Sequence, residues 1–249
     1  MVTWVGPLAL VALVAIGIVI AVVGRRRTTE EEDTSGILRV VRVGAIVYGA
    51  LVVIDTAVGV IGNLTSDVVQ VALPTQQFWP VLPDGVEWTP ASGATLVGGG
   101  FLEADASVEG LGMNVRTLLA AGVLIQGLTQ LAVTAAVYLL ATRLLAGEPF
   151  QPVMSRAISL TAAALIAGGL LWQVFFGLGE FIAARQVLEA GSWAWTEDLG
   201  LEDPSVLLPQ PRLGLTIEFW PFLTGMALAA VAAAFRRGER LQRDTAGLV

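Results

Sequence analysis

The chain has 249 residues, 55% of them hydrophobic and 14% charged, with a formal net charge of −7 and a mean hydropathy of +0.75. It contains no Cys, no His and no Lys, which excludes thiol chemistry, Cys/His zinc sites, imidazole bases and haem ligands, and Schiff-base or P-loop lysines. A soluble fold with so little charge would need a very large buried core, and a net acidic chain argues against direct nucleic-acid binding.

A membrane helix needs about 20 mostly apolar residues. Five stretches meet or approach that length. The first, 4–23, carries no charge. It lacks a basic region before the apolar run and a small-x-small cleavage site, so it reads as an uncleaved anchor with its N-terminus outside. A linker, 24–42, follows, with Arg25, Arg26 and Arg27 giving way to Glu30, Glu31, Glu32 and Asp33. That abrupt change of sign predicts a mobile connection.

The second span, 43–65, contains one ionisable residue, Asp55. An Asp at mid-helix costs roughly 2.5–3.5 kcal/mol, while the ten Val, Ile and Leu residues around it return roughly 3–6 kcal/mol, so insertion is close to balanced or favourable. The segment 66–116 is too long for a simple connection. Alternating runs at Val68–Leu73, Val86–Thr89, Thr95–Val97 and Phe101–Val108 predict strands, with Pro and Gly clusters as turns. Gly98-Gly99-Gly100 lacks the Gly-Lys-Ser/Thr of a phosphate loop and reads as a turn.

The third span, 117–142, and the fourth, 157–181, flank a short loop, 143–156, in which Gly147 suits a helix C-cap and Pro149 blocks continuation. A second polar segment, 182–216, could add an edge strand near Leu213–Ile217. Its acids Glu197, Asp198, Glu202 and Asp203 lack EF-hand spacing and read as a solvated loop. Trp79, Trp88, Trp193, Trp195 and Trp220 fall in or beside these segments, as an interfacial aromatic belt would. The fifth span, 217–235, is the shortest, extended outward through Leu213, Leu215 and Ile217. The tail 236–249 carries Arg236, Arg237, Arg240 and Arg243 and predicts a helical extension.

Orientation follows from the arginines. Arg25, Arg26, Arg27, Arg39, Arg42, Arg143, Arg156 and the four tail arginines fall on one side of five alternating spans; Arg116, Arg185 and Arg212 fall on the other. The positive-inside rule makes the larger group cytoplasmic, in a bacterial plasma membrane, with the N-terminus outside and the C-terminus inside. The expected fold is an α-helical integral membrane protein of five transmembrane helices with a small antiparallel β-rich extracytoplasmic domain. That domain could bind a peptide, a lipid or a partner, or could simply cap the helix ends.

Two signatures on the basic side carry a resemblance. They are Gly147-Glu148-Pro149-Phe150 followed by Arg156, and Ala234-Phe235-Arg236-Arg237-Gly238-Glu239-Arg240-Leu241-Gln242-Arg243-Asp244. With four spans they resemble the bacterial membrane family called domain of unknown function 2975, over approximately 37–249. Gln151 stands where that family often has Asn. The resemblance implies an integral membrane protein, often encoded beside a small helix-turn-helix regulator; it supplies no catalytic residues and no established substrate, and no cofactor is expected.

Two kinds of function compete. One is a non-enzymatic interaction or regulatory component, with the bilayer and a cytoplasmic helix-turn-helix regulator as partners and Arg236, Arg237, Arg240 and Arg243 as the docking surface. The other is a small transporter or proton/cation-coupled carrier using Asp55, with Gln126 and Gln130 beside it on span three. Thr56 and Thr134 could extend that polar surface. A membrane enzyme built on carboxylates finds no support in the spacing.

Overall fold

A computed structural model describes residues 30–80, 91–94, 97–147, 152–192, 194 and 207–246. These form α1 (Glu30–Thr65), β1 (Val68–Phe78), β2 (Phe101–Glu109), α2 (Met113–Leu145), α3 (Pro152–Leu188) and α4 (Trp220–Ala246). The chain divides into two compact units, a helical one (Met1–Ile61, Ala121–Gln173 and Ile217–Val249) and a mixed one (Gly62–Ala120 and Val174–Thr216).

Within the helical unit, consecutive helices meet through small residues. On α1, Ala45, Gly49, Val52, Thr56 and Gly59 recur at spacings of four and three, which lays one seam along the helix. Gly49 faces the Thr134 methyl of α2, Gly127 of α2 receives the Thr56 side chain, and Gly59 faces Val123. Partner numbers fall on α2 as they rise on α1, so the two helices run antiparallel. Between α2 and α3, Thr129 lies against Gly168, and the Thr161 hydroxyl contacts the Ala132 carbonyl at 3.3 Å. Between α3 and α4, Gly169 faces Pro221 and Gly225 faces Ile166. Lipid supplies no hydrophobic drive between helices, so close backbone approach at such positions carries the association.

The outer faces of these helices reverse the pattern of a soluble bundle. Ile54 is 60% exposed, Leu160 65% and Leu223 64%, with Val43, Ile46, Val58, Leu128 and Leu170 also exposed. Apolar surface on this scale is not tolerated in water. Three helical stretches, Ser35–Thr65, Met113–Leu145 and Val153–Leu188, are long and apolar enough to cross a membrane.

Five transmembrane helices is therefore not the architecture found. Among the described residues there are four helices, three of them membrane-length. Span one, 4–23, lies outside the described residues. The expected fifth span fails for a local reason. Residues 213–217 are not helical, so Leu213, Leu215 and Ile217 add nothing to α4. The apolar part of α4 then runs only from Trp220 to Phe235 before Arg236 and Arg237. At about 1.5 Å per residue that is about 24 Å, against a hydrocarbon core of about 30 Å.

Other boundaries shift as well. Residues 30–42, expected as part of a mobile linker, are the first turns of α1. Acidic residues at a helix N-terminus favour helix there through the macrodipole, and Gly36 alone does not break it. α3 runs to Leu188, seven residues into the expected outer segment. α2 closes at Gly147, whose φ of 72° only glycine adopts freely and whose N–H donates to the Leu144 carbonyl at 3.1 Å.

In the mixed unit, β1 and β2 form a two-stranded antiparallel sheet pairing Val68 with Glu109 through Pro74 with Glu103. The register breaks between Pro74 and Phe78, where proline has no N–H to give the ladder. Alternation places Val69, Val71 and Leu73 in a core with Leu111, Val115, Leu119, Ala183 and Ala184. The expected strand at Val86–Thr89 lies outside the described residues, as does most of Thr95–Val97. The edge strand expected near Leu213–Ile217 does not form; a single bridge, Thr75 to Pro211, takes its place. At the end of α3 the Arg185 guanidinium grips Glu189 at 2.7 Å and holds that carboxyl below its usual range. Both side chains are exposed, so the pair adds little stability.

Candidate functional site

The helical unit holds a half-open cavity of about 440 Å³ lined by all four described helices. α1 contributes Tyr48. α2 contributes Gln126, Thr129, Gln130, Val133 and Thr134. Leu165, Gly169 and Trp172 come from α3, and Trp220, Pro221, Thr224 and Leu228 from α4. The positions on α2 recur at i, i+3, i+4, i+7 and i+8, one face of a helix. Gln130 lies near the middle of Met113–Leu145, a helix long and apolar enough to cross a membrane, so the cavity sits midway along it.

Some of the polar groups here are already committed. The Thr129 hydroxyl donates to the Ile125 carbonyl and the Thr134 hydroxyl to the Gln130 carbonyl, each at 2.8 Å, which is how a hydroxyl is satisfied on a membrane helix. The Trp220 indole N–H donates to Glu218 Oε2 at 2.8 Å. The side-chain amides of Gln126 and Gln130, the phenol of Tyr48 and the hydroxyl of Thr224 have no hydrogen-bond partner among the described residues. An amide held in an apolar medium without a partner costs on the order of 2–7 kcal/mol. Few convergent polar groups in a largely apolar cavity are the composition of a small-molecule site.

The cavity wall is braced on one side by Gln173. Its Nε2 donates to the Gly169 carbonyl at 2.6 Å and to the Glu218 carbonyl at 3.3 Å, and its Oε1 accepts from the Glu218 N–H at 2.5 Å. These bonds fix the chain just before Trp220 and Pro221 enter the cavity lining. A second apolar recess, about 230 Å³, continues from Tyr48, Val133 and Thr134 toward Val41 and Val137.

Asp55 does not join Gln126 and Gln130. It is half-buried on α1, absent from the cavity lining, and without a hydrogen-bond partner among the described residues. The reason is angular. The seam through Val52, Thr56 and Gly59 faces α2, and Asp55 sits to one side of it. Thr56, which was expected to extend a polar surface, is packed into Gly127. Asp55→Asn is therefore expected to leave occupancy of the cavity unchanged, measured as ligand retained through purification. Loss of the ligand in that variant would put Asp55 in the site.

The tail residues separate from this site. Arg236, Arg237 and Arg240 are exposed on α4, and Arg236 Nε reaches the Ala232 carbonyl at 3.4 Å. Arg243 is on the same helix, and its side chain lies outside the described residues. Glu239 is buried among these arginines in sequence, with Oε1 unpaired among the described residues. No group of three or more Asp and Glu residues that could hold a metal ion occurs among the described residues.

No family model, no curated protein and no solved structure matches this chain. The cavity therefore has to be read from its own chemistry. Gln126 and Gln130 were visible in the sequence as an i,i+4 pair of amides in an apolar helix. Tyr48, Trp172 and Trp220 were not, because only the tertiary fold brings them to the same space.

Proposed function

We propose that this protein is a non-enzymatic, ligand-responsive interaction component of a bacterial plasma membrane. One observation carries the reading: a cavity midway along membrane-length helices presents two amides, a phenol and a Thr hydroxyl without partners among the described residues, and no Asp, Glu or Arg of those residues lines it. Acid–base or nucleophilic catalysis needs a titratable or activated group at the reacting atoms, and among the described residues the lining holds no Asp, Glu or Arg. It does offer recognition. The exposed Arg236, Arg237 and Arg240 support a second contact surface, suited to an acidic partner or an anionic leaflet.

The test is purification from native membranes followed by mass spectrometry of both proteins and small molecules. Wild type should carry a small molecule in stoichiometric amount, and Gln126→Leu with Gln130→Leu should lose it at unchanged yield. A wild type that carries none, and changes no partner set when the cavity is altered, would end this reading.

We further propose that the basic segments face the cytoplasm, in keeping with the arginine distribution. Reporter fusions at Pro149 and Val249 should read cytoplasmic, and those at Gly99 external. A cytoplasmic Gly99 would reverse the orientation.

A further inference from the structure

We infer that the cavity between α1, α2, α3 and α4 binds a neutral, lipid-soluble ring compound bearing carbonyl oxygens, of the quinone class. This rests on the ligand-binding reading above and narrows it to a chemistry. The ligand must be neutral, because no Asp, Glu or Arg lines the cavity and an ion there would be stripped of water without a counter-charge. Lipid solubility suits it, because Gln130 lies at the middle of α2, a helix long and apolar enough to cross a membrane, and most of the lining side chains are apolar. Acceptors on it would meet the two carboxamide NH₂ groups, the Tyr48 phenol O–H and the Thr224 hydroxyl, while the two carboxamide oxygens remain open to a donor or to water.

The arrangement of those groups narrows the class further. Gln126 and Gln130 stand one turn apart on α2, while Tyr48 comes from α1. Donors on separate helices suit a ligand with acceptors at separate positions of one ring. Trp172 and Trp220 line the cavity from two further helices, and an indole offers a planar ring a better stacking partner than it offers a branched lipid headgroup. The volume of about 440 Å³ falls within the ordinary range for small-molecule sites, about 300–1,000 Å³. The adjoining apolar recess past Val133 and Val137 is placed to take the start of an alkyl tail.

The experiment is equilibrium binding of a tritiated decyl-substituted benzoquinone to the full chain in phospholipid nanodiscs, with empty discs as background. Binding should saturate at one per chain. Loss of one hydrogen bond lowers affinity by about 3–10-fold, so Tyr48→Phe, which removes only a hydroxyl, should show a loss of that size. Gln126→Leu with Gln130→Leu should show a larger one. Decylbenzene, which keeps ring and tail but has no oxygens, should fail to compete. Equal competition by decylbenzene, or unchanged affinity in both variants, would overturn the quinone assignment. Should native membranes instead yield a ligand of another class that the Gln variants release, the assignment falls while the cavity stands as a binding site. If neither the benzoquinone nor any native molecule binds saturably, both fall.

Discussion

Gly127→Leu should leave the helical unit unable to pack, with the protein lost to aggregation or degradation. Gly127 is buried where α2 crosses α1, and even a Cβ there would overlap the Thr56 side chain. Adding bulk to a packed contact costs typically 1–3 kcal/mol, occasionally more, whereas replacing a helical glycine returns only about 1 kcal/mol of helix preference. Gly127→Ala is the graded version. It should lower the thermal midpoint in detergent, followed by tryptophan fluorescence, by an amount equivalent to about 1–2 kcal/mol. Thr56→Ala removes the hydroxyl and methyl that lie nearest the new Cβ, so the double variant should recover most of the loss. A Gly127→Ala protein as stable as wild type would mean that the α1–α2 crossing is looser than this geometry requires.

The second large effect concerns Arg116, whose sequence context marked it only as one of three arginines on the acidic side. Its guanidinium donates to three carbonyls: Leu111 at 3.0 Å, Ser66 at 2.6 Å and Asp67 at 3.2 Å. It therefore ties the chain leaving α1 to the turn between β2 and α2. A hydrogen bond from a charged group contributes roughly 1.5–3 kcal/mol, so Arg116→Met should destabilise the mixed unit by about 3 kcal/mol or more. Limited proteolysis should then cut within residues 66–116 far faster than in wild type. Arg116→Lys separates charge from geometry, since an ammonium keeps the charge but lacks the planar fork. It should restore only part of the protection. Full protection in the Lys variant would show that charge alone suffices.

What could be read from the sequence divides along a physical line. α1, α2 and α3 are legible because an uninterrupted apolar run long enough to span leaves a helix as the structure that satisfies its backbone in lipid. The alternations at Val68–Leu73 and Phe101–Val108 are legible for the period-2 reason. α4 was overestimated because Leu213, Leu215 and Ile217 count toward hydropathy equally in helical and extended chain. β1 runs past Pro74 to Phe78 because neighbouring backbone takes up the bonding: the Pro74 carbonyl accepts from the Arg212 N–H, and the Gln76 N–H donates to the Gln210 carbonyl. Those partners are more than a hundred residues away, beyond any local pattern. Asp55 is expected beside Gln126 and Gln130 because an ionisable group within a span is costly and should face the bundle interior. Depth says how far along a helix a group lies, and only the packing seam says which way it points.

The Arg116 contacts also set an order in time. Ser66 and Arg116 are separated by 50 residues. At about 5–20 residues per second of synthesis, Arg116 is added about 2.5–10 s after Ser66. Until then the Ser66 and Asp67 carbonyls lack the guanidinium that bonds them in the finished fold, and the end of α1 lacks that clasp. Joining the two therefore acts as a late step of biogenesis, completed only when α2 has begun to form behind β2. A nascent chain stalled just short of Arg116 is therefore expected to be cut within residues 66–115 more readily than the finished chain.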